Sequence, residues 1–583
     1  MAQQNRTKEI WLIPKRVNLH QTICLIDGII ERNYDGSSWN PQKQNNLGVN
    51  LKKWGATKDG KNIAPQSIRT LLASIPQYLG FAYINTEKTP NTICLTQAGK
   101  DLWDKHKGDL VKIPNLVEGK EHLITESDIV LHQMEKLQIT NPIINKDCEN
   151  IYLFPFRFML KVLLKVNYLD KEEIAYFLFK ARNEDETDLI AQEIQNFRKL
   201  PTENRKKIID AFRATHIGNI TLVDAPSSAY FISLCNTTGI IDKINVSPDN
   251  RENSIPALRI KEKYIKYVKE LLDIKYKNIH TYDFNDNLQL WIEYIGNPKR
   301  NFPPADISII NETNNDFLIQ IYKDGNYKYD DLIRKNSIIT FPMFFNEQYN
   351  IKIIDAMTGE ELDSYDICPT FENNEFFIKS SSFSDTSHTE TLLDVSQEII
   401  EHCNSRNFAG KTLNYLTTLS KITGEDFLNS HSLRGAYLEY YVYKMLTLLK
   451  ESNVIDEVIW NGHQGKYGLP VSAPGGKKGT PDIVFIIDDL HIVVELTTIK
   501  AKSTQFSAEG SSVPDHIRLY KEETSKDVVG VFCAPVIHER NTASMQSTIA
   551  PYEINLHCLT DKDFVDILLH NDRDVIKKYF SNK

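Results

Sequence analysis

Two short β-type runs separated by only two residues constrain the fold of this chain more than any other feature. Residues 483–487 and 490–494 are aliphatic or aromatic apart from one histidine, and many are β-branched. Only Asp488-Asp489 lies between them, which predicts a β-hairpin with a two-residue turn. If Ile487 faces Leu490 across the turn, Asp482 and Glu495 face each other at the open end, with Cβ atoms about 5 Å apart.

Two opposed carboxylates at the open end of an apolar hairpin repel each other unless a cation lies between them. Hard divalent cations such as Mg²⁺ bind carboxylates, and waters and a phosphate complete the coordination shell. The sequence therefore indicates a candidate Mg²⁺ site at Asp482 and Glu495. The alternative is an ordinary buried hairpin whose ends lie in solvent, where two acids need no cation.

The residues that follow the hairpin extend this site and carry a family resemblance. In chain order the series is Pro481-Asp482, Glu495-Leu496-Thr497-Thr498, Thr504-Gln505-Phe506, Glu509, Val513 and His516. It resembles the cleavage-domain signature of the AlwI-type restriction endonucleases, which include type IIS enzymes and nicking relatives within the PD-(D/E)XK nuclease superfamily. The N-terminal stretch from Trp11 to Arg16 also resembles that family.

The series departs from the family pattern in two places. The spacer before Glu509 is one residue longer, and Thr497 stands where the usual catalytic lysine follows the acid. We therefore expect Glu509, Lys500 or Gln505 to take the lysine's role.

The resemblance implies hydrolysis of a DNA phosphodiester bond, with Mg²⁺ as cofactor and Mn²⁺ able to substitute. The implied metal ligands are the carboxylates of Glu439, Asp482 and Glu495 and the main-chain carbonyl of Leu496. Glu509 and His516 match accessory family positions, where they would orient water or protonate the leaving oxygen.

Glu439 is also a candidate because of its helix. Residues 432–450 have helical periodicity, and Glu439 lies on the same face as Ala436, Val442, Tyr443 and Leu446. A carboxylate on an apolar face is costly unless it is paired or binds a metal. The alternative to a metal ligand is an ion pair with Arg434 or Lys444 at the rim of the helix.

The length and the charge distribution indicate a DNA-binding protein of several domains. A chain of 583 residues exceeds the size at which a single core stops growing, about 250 to 300 residues. The net charge is −9, but residues 1–112 carry about +7 and residues 301–400 about −12. A basic N-terminal region is compatible with binding double-stranded DNA, because the local field at the contact surface matters more than the total charge.

Several features predict a cytoplasmic protein without a membrane partner, and the family resemblance implies a prokaryotic one. The polar N-terminus has no signal-peptide core, and no apolar run approaches the ~18 residues that span a bilayer. The eight cysteines are scattered without a C-x-x-C pair, which argues against a zinc site and a disulfide framework.

Two N-terminal stretches share a predicted order of helices, a two-stranded ribbon and a further helix. We predict one winged-helix-like recognition module in residues 1–145 and a second in residues 146–300. The resemblance implies the same, since relatives in the family use winged-helix modules to recognise DNA. The candidate DNA contacts are basic residues near the first module and the hairpin: Lys15, Arg16, Arg32, Lys52, Lys53, Arg69, Lys477 and Lys478. The alternative is two structural helical domains with a solvated basic face.

The remaining sequence predicts two further domains, which makes the chain a multidomain α+β protein. Residues 301–380 contain short alternating runs with acidic residues, which predict a small all-β sandwich that acts as a spacer or docks a partner. Residues 390–583 predict a PD-(D/E)XK nuclease domain with a mixed αβ sandwich.

The leading functional hypothesis is a type IIS restriction endonuclease that recognises a short asymmetric double-stranded DNA site and cuts at a fixed distance outside it. A close alternative is a nicking endonuclease or the large subunit of a heterodimeric enzyme. One catalytic site cuts one strand, so cutting both strands requires a second copy or a small subunit. A DNA-binding protein with a degenerate nuclease domain is the alternative from another class. The resemblance also implies a separately encoded cognate DNA methyltransferase.

Overall fold

The protein divides into two compact units, Met1–Ala305 and Asp306–Lys583. The computed structural model describes residues 10–14, 18–144, 148, 150–215, 226–247, 254–378, 390–405, 407–473 and 479–581. Each unit combines helices with sheets, which confirms the multidomain α+β class. The finer division into four domains stays a prediction. Within the described residues, no helix is both long and apolar enough to cross a membrane.

The first unit is built mainly from helices, with two small three-stranded sheets. Its helices are α1 (Leu19–Glu31), α2 (Pro41–Lys53), α3 (Pro65–Leu72), α4 (Ile75–Tyr78), α5 (Gln97–His106), α6 (Asp128–Lys136), α7 (Pro155–Val166), α8 (Lys171–Tyr176), α9 (Thr187–Lys199), α10 (Thr202–Thr215), α11 (Pro226–Asn236), α12 (Ile265–Glu270) and α13 (Leu288–Ile295). Its strands are β1 (Ser37–Ser38), β2 (Ala82–Asn85), β3 (Thr92–Leu95), β4 (Leu169–Asp170), β5 (Ile241–Val246) and β6 (Ile255–Ile260).

Both small sheets have the same topology. In each, a two-residue strand follows a first helix and pairs antiparallel with the second strand of a later hairpin. The strand orders are accordingly β1-β3-β2 and β4-β6-β5. The hairpins β2–β3 and β5–β6 lie where the sequence predicts two-stranded ribbons, and helices precede each of them. The two stretches therefore share a strand topology, and their assignment as winged-helix-like modules stays a prediction.

Residues 305–378, which lie in the second unit apart from Ala305, form strands and no helix, and we call them the β region. The strands are β7 (Ala305–Asn311), β8 (Phe317–Lys323), β9 (Asn326–Ile333), β10 (Ser337–Met343), β11 (Tyr349–Asp355), β12 (Glu361–Ile367) and β13 (Glu375–Ile378). They form two sheets with the orders β10-β7-β13 and β12-β11-β8-β9. The sequence pattern indicates β7, β8, β10, β11 and β13, but not β9 and β12.

The rest of the second unit, residues 390–581, is an αβ region, and we call it the C-terminal region. Its helices are α14 (Leu392–Asn404), α15 (Gly410–Thr423), α16 (His431–Glu451), α17 (Lys502–Glu509), α18 (Ser512–Thr524), α19 (Glu539–Ile549), α20 (Asp561–Leu569) and α21 (Arg573–Ser581). Its strands are β14 (Glu457–Trp460), β15 (His463–Gln464), β16 (Pro470–Val471), β17 (Ile483–Ile487), β18 (Leu490–Leu496), β19 (Asp527–Ala534) and β20 (Asn555–Thr560).

A five-stranded mixed sheet organises the C-terminal region. Its order is β14-β17-β18-β19-β20, antiparallel from β14 to β18 and parallel from β18 to β20. Residues of α14, α16, α20 and α21 share one apolar core with one face of the sheet, and residues of α18 and α19 share another core with the opposite face. The predicted hairpin therefore lies at the centre of a sheet that is covered on both faces.

The β region packs directly against the C-terminal region. One apolar cluster contains Leu318 and Leu332 of the β region together with Leu419 and Tyr467. Buried Asp330 also accepts hydrogen bonds from Lys466 Nζ at 2.7 Å and from the Tyr467 hydroxyl at 2.8 Å. These contacts join the two regions into a single compact unit.

Candidate active site

The structure confirms the predicted hairpin and its register. β17 pairs with β18 so that Ile487 lies opposite Leu490 across a two-residue turn. Asp482 immediately precedes β17, and continuing the same register puts it opposite Glu495. The backbone N–H of Leu496 donates a hydrogen bond to Oδ2 of Asp482 at 2.8 Å, which fixes this carboxylate across the open end of the hairpin.

Glu439 lies on α16 with its side chain buried, as its position on an apolar helix face predicts. The two basic residues that could pair with it have other partners. Arg434 donates to main-chain carbonyls, and Lys444 Nζ lies 2.7 Å from Glu390 Oε2. An ion pair at the helix rim is therefore not how the chain accommodates Glu439.

Neutral groups hydrogen-bond the Glu439 carboxylate instead. The indole Nε1 of Trp460 lies 3.4 Å from Oε2, and the Ser472 hydroxyl and the Ala473 backbone also hydrogen-bond it. Trp460 ends β14, which pairs with β17. The carboxylate of Glu439 thus lies beside the strand that follows Asp482.

The buried acids of the site act on one another electrostatically. Burial raises the pKa of Asp482 well above its usual value, and the charges of Glu495 and Glu439 raise it further. Burial likewise raises the pKa of Glu495 well above its usual value, with a further contribution from Glu509. Burial also raises the pKa values of Glu439 and Glu509. The folded chain therefore holds a cluster of carboxyl groups whose ionisation is costly without a nearby positive charge.

His516 lies against one of the hairpin acids. Its Nδ1 is 3.1 Å from both carboxylate oxygens of Glu495. Gly479, at φ +50°, packs against the imidazole, and a Cβ at this position would lie 2.2 Å from His516 Cδ2. A glycine is therefore required here both by the backbone conformation and by the closeness of the ring.

Glu509 is held by Thr497, the residue at the position where the sequence comparison expects a lysine. The hydroxyls of Thr497 and Ser512 both hydrogen-bond its carboxylate, and these bonds lower a pKa that burial raises. Thr497 itself is buried at the end of β18. The position that would carry a lysine thus carries a hydroxyl that binds Glu509.

The other two candidates for the lysine's role have different surroundings. Lys500 is exposed, and its charge acts on Asp561. Gln505 is fully buried, donates to the carbonyls of Ile499 and Val536 at 3.1 and 3.0 Å, and accepts from Asn541. Gln505 therefore ties α17 to the loops after β18 and β19.

The donor set of the site is chemically suited to a hard divalent cation. It offers buried carboxylates with raised pKa values, and Mg²⁺ prefers carboxylate and carbonyl oxygens. In the part of the chain that the structure describes, no three or more His, Cys, Asp or Glu side chains have the spacing that would hold an ion. The ligand set of Glu439, Asp482, Glu495 and the Leu496 carbonyl therefore stays a prediction.

Half of the candidate DNA contacts lie in described parts of the first unit. Arg32, Lys52, Lys53 and Arg69 are all exposed on or beside α1, α2 and α3, and Lys53 Nζ lies 2.7 Å from Glu31 Oε1. The remaining four lie outside the described residues: Lys15, Arg16, Lys477 and Lys478.

The helices that precede the two small hairpins differ in exposure. α3, with α4 before β2, exposes Gln66, Arg69 and Thr70. α11, directly before β5, has no exposed side chain among those described, and Phe231 and Ile232 are fully buried. A helix can insert into a DNA groove only through an exposed face, so α3 is available for such a role and α11 is covered.

Sequence reasoning missed the groups that support the acids. Trp460, Ser472 and Thr497 each bond a carboxylate of the site, yet Trp460 and Ser472 carry no sequence signal that predicts this. The position of Thr497 in the place of the family's lysine was the one indication that the residue lies close to the acids.

A family model and several solved structures match the chain. The model described as AlwI restriction endonuclease matches residues 77–556. No curated protein matches. Similar solved structures include the small subunit of the heterodimeric restriction endonuclease R.BspD6I, with 15% identity over 32% of this chain and 86% of that chain at a TM-score of 0.23. Another is restriction endonuclease FokI bound to DNA, with 10% identity over 99% of this chain and 98% of that chain at a TM-score of 0.19. TM-scores this low do not define a shared fold.

Proposed function

The chain belongs to the AlwI restriction endonuclease family, and on that premise we propose that it is a type IIS enzyme that cuts double-stranded DNA at a fixed distance outside a short asymmetric site. The observation that carries the proposal is the pair of acids, half-buried Asp482 opposite buried Glu495, at the open end of the hairpin. Three further groups act on this pair: Glu439, Glu509 and His516.

In this proposal the acids bind Mg²⁺, for which Mn²⁺ substitutes. The residues that would hold the ion are Asp482, Glu495, Glu439 and the carbonyl of Leu496. When bound, such an ion neutralises charge at the scissile phosphate and lowers the pKa of a coordinated water.

The side chains beside the acids supply positioning and proton transfer. Of the three candidates for the lysine's role we propose Glu509, because Thr497 holds its carboxylate within the group of interacting acids. Glu509 would orient the attacking water. His516, whose Nδ1 is held by Glu495, would protonate the leaving oxygen.

We also propose that residues 1–145 and 146–300 are winged-helix-like modules and that the first reads bases. The supporting observation is the shared order of helix, short strand, helices and hairpin, with the short strand paired to the last strand. α3 would enter the major groove, where Arg69 and Gln66 have the chemistry to bond guanine and adenine in a bidentate manner. The covered helix α11 would give the second module a supporting role.

The other partners of the proposed enzyme follow from having one site in each chain. One site cuts one strand, so cutting both strands requires a second copy or a small subunit, and a chain acting alone would nick. Residues 301–380 would serve as a spacer and residues 390–583 as the PD-(D/E)XK nuclease domain. A separately encoded DNA methyltransferase would protect the host site.

Cleavage of supercoiled plasmid in Mg²⁺ and in EDTA, with the ends mapped by sequencing, tests the proposal. We expect Mg²⁺-dependent linear DNA whose ends lie at a fixed distance from one short motif, and open circles alone would identify the nicking alternative. Asp482→Ala should abolish cleavage but keep site binding, whereas Asp489→Ala in the exposed turn should cut normally. Cleavage by Asp482→Ala would refute the assigned site, and a wild-type protein that binds DNA without cutting it would favour a degenerate nuclease.

A further inference from the structure

Glu439 is bonded by neutral groups although it is buried. Its carboxylate accepts from the Trp460 indole, the Ser472 hydroxyl and the Ala473 backbone. The neighbouring cations Arg434 and Lys444 bond elsewhere. A cationic partner would cancel the charge of the carboxylate, whereas neutral donors set its direction and leave the charge available.

The indole of Trp460 is itself fixed by packing. Tyr443, one turn after Glu439 on α16, stacks on it with ring centroids 5.2 Å apart and an interplanar angle of 27°. Tyr440 adds a second ring contact at 5.6 Å. The backbone of Gly462 lies so close that a Cβ there would be 2.5 Å from Nε1. The direction of the indole N–H is therefore set by its neighbours.

Strand order brings this side chain to the site. Trp460 lies opposite Ile483 in the pairing of β14 with β17, and Ile483 directly follows Asp482. Trp460 therefore lies between helix α16, which carries Glu439, and the strand that begins after Asp482.

We infer that Trp460 is a positioning residue, whose indole N–H acts with the Ser472 hydroxyl to orient Glu439 for binding a divalent cation together with Asp482 and Glu495. This inference rests on the metal site of the proposed function. It adds a role for two residues that have no place in the acid motif itself, and it explains why a buried acid has no cationic partner among the residues that the structure describes.

Trp460→Phe tests the inference, because it keeps a ring to stack on Tyr443 and removes the N–H. The probe is Mn²⁺ alone, titrated into the full-length protein and followed by the electron paramagnetic resonance signal of the free ion. We expect the Mn²⁺ dissociation constant to rise about 10-fold, the scale of outer-shell effects at metal sites. The Mn²⁺ concentration for half-maximal single-turnover cleavage should rise equally, with little change in the rate at saturating Mn²⁺ or in DNA affinity in EDTA.

Tyr443→Phe is the matched control, since it alters the ring stacked on the indole and leaves the N–H in place. It should bind Mn²⁺ as the wild type does. In a Glu439→Gln background, Trp460→Phe should weaken Mn²⁺ binding no further, because residues that act as one unit have non-additive effects. Wild-type Mn²⁺ affinity in folded Trp460→Phe would overturn the inference and make the indole a packing group.

If Trp460→Phe does not fold, Ser472→Ala tests the same inference. It removes one donor to Glu439 with little change in packing, and it should weaken Mn²⁺ binding in the same direction. Unchanged affinity in that variant would overturn the inference. Asp482→Ala separates the two levels: if it still binds Mn²⁺ and cuts, the metal site assigned in the proposed function fails, whereas if it is inactive while Trp460→Phe behaves as wild type, the inference alone fails.

Discussion

Burial and mutual repulsion make the carboxylates of the hairpin less acidic in the folded protein than in the unfolded chain. The pKa values of Asp482, Glu495, Glu439 and Glu509 are all raised. Between the ordinary carboxyl range, near pH 4, and these raised values, the folded state binds more protons than the unfolded state. The stability of the metal-free protein should therefore fall as the pH rises through this window.

Asp482→Asn should stabilise the metal-free protein above that window, because it removes one of the repelling charges and keeps the shape. We expect about 1 kcal/mol, or a rise of about 2–4 °C in the Tm of the second unit, and a shallower decline with pH. Thermal unfolding from pH 5 to pH 8 in EDTA measures both. Asp489→Asn, in the exposed turn, is the control and should leave the Tm unchanged. A lower Tm for Asp482→Asn at pH 8 would contradict the repulsion argument.

For individual residues, the sequence could predict the contacts that depend only on neighbouring residues in the chain. A two-residue turn fixes the register of a hairpin, so the pairing of Asp482 with Glu495 follows from residues 483–494 alone. The contact of Trp460 with Glu439 depends instead on β14 adding to the edge of β17 and on the packing of α16 across that edge. Neither arrangement is encoded in the spacing of the two residues along the chain.

The elements of the β region show a similar limit. The strands indicated by the sequence have alternating apolar residues, whereas β9 and β12 lie at the two edges of their sheet. The side chains of β12 are almost all exposed, so both of its faces tolerate polar residues and the period of two disappears. Exposure of both faces, rather than edge position alone, explains why hydrophobic alternation failed to indicate β12, since the edge strands β10 and β13 keep an alternating pattern.

The exposure of α3 leads to a prediction about DNA recognition at the level of a single helix. Combined Gln66→Ala and Arg69→Ala substitutions should reduce the preference for the recognition site over other DNA by about 30-fold or more, because two base-edge contacts at about 1–3 kcal/mol each sum to at least about 2 kcal/mol. Competition binding measured by fluorescence anisotropy at one fixed salt concentration gives this ratio. Binding to unrelated DNA should change less, since it depends mainly on phosphate contacts.

Ser233→Ala in α11 is the matched control for that measurement. Ser233 is half-buried, and its hydroxyl bonds the Ala229 carbonyl within the helix. The site preference should survive this change if α11 has a supporting role. An unchanged preference in the α3 variant would show that base reading lies elsewhere in the chain.

At the scale of the whole molecule, the sequence indicates a change of pattern near residue 300 but not the association that follows it. The β region and the C-terminal region differ in composition and secondary structure, which favours separate domains. The apolar cluster around Leu318, Leu419 and Tyr467 nevertheless draws side chains from both, and Asp331 accepts the backbone N–H of Tyr467 at 2.7 Å. These partners from the two regions are more than 80 residues apart along the chain. The sequence of one region alone does not show that its surface fits the surface of the other.

This association predicts that the β region and the C-terminal region unfold together and that Asp330 contributes to their joint stability. Asp330 is 5% exposed and accepts from the Tyr467 hydroxyl and Lys466. Asp330→Ala removes a buried acceptor and leaves the Tyr467 hydroxyl without this bond, which should cost the second unit about 2 kcal/mol. Differential scanning calorimetry should show one transition for the second unit, shifted to a lower temperature in the variant.

Glu361→Ala, which breaks a partly exposed ion pair with Lys352, is the control and should lower the free energy of unfolding by less than about 1 kcal/mol. Separate transitions for the two regions, with Asp330→Ala shifting neither, would show that the contact surface does not couple them, and the β region would then act as an independent spacer.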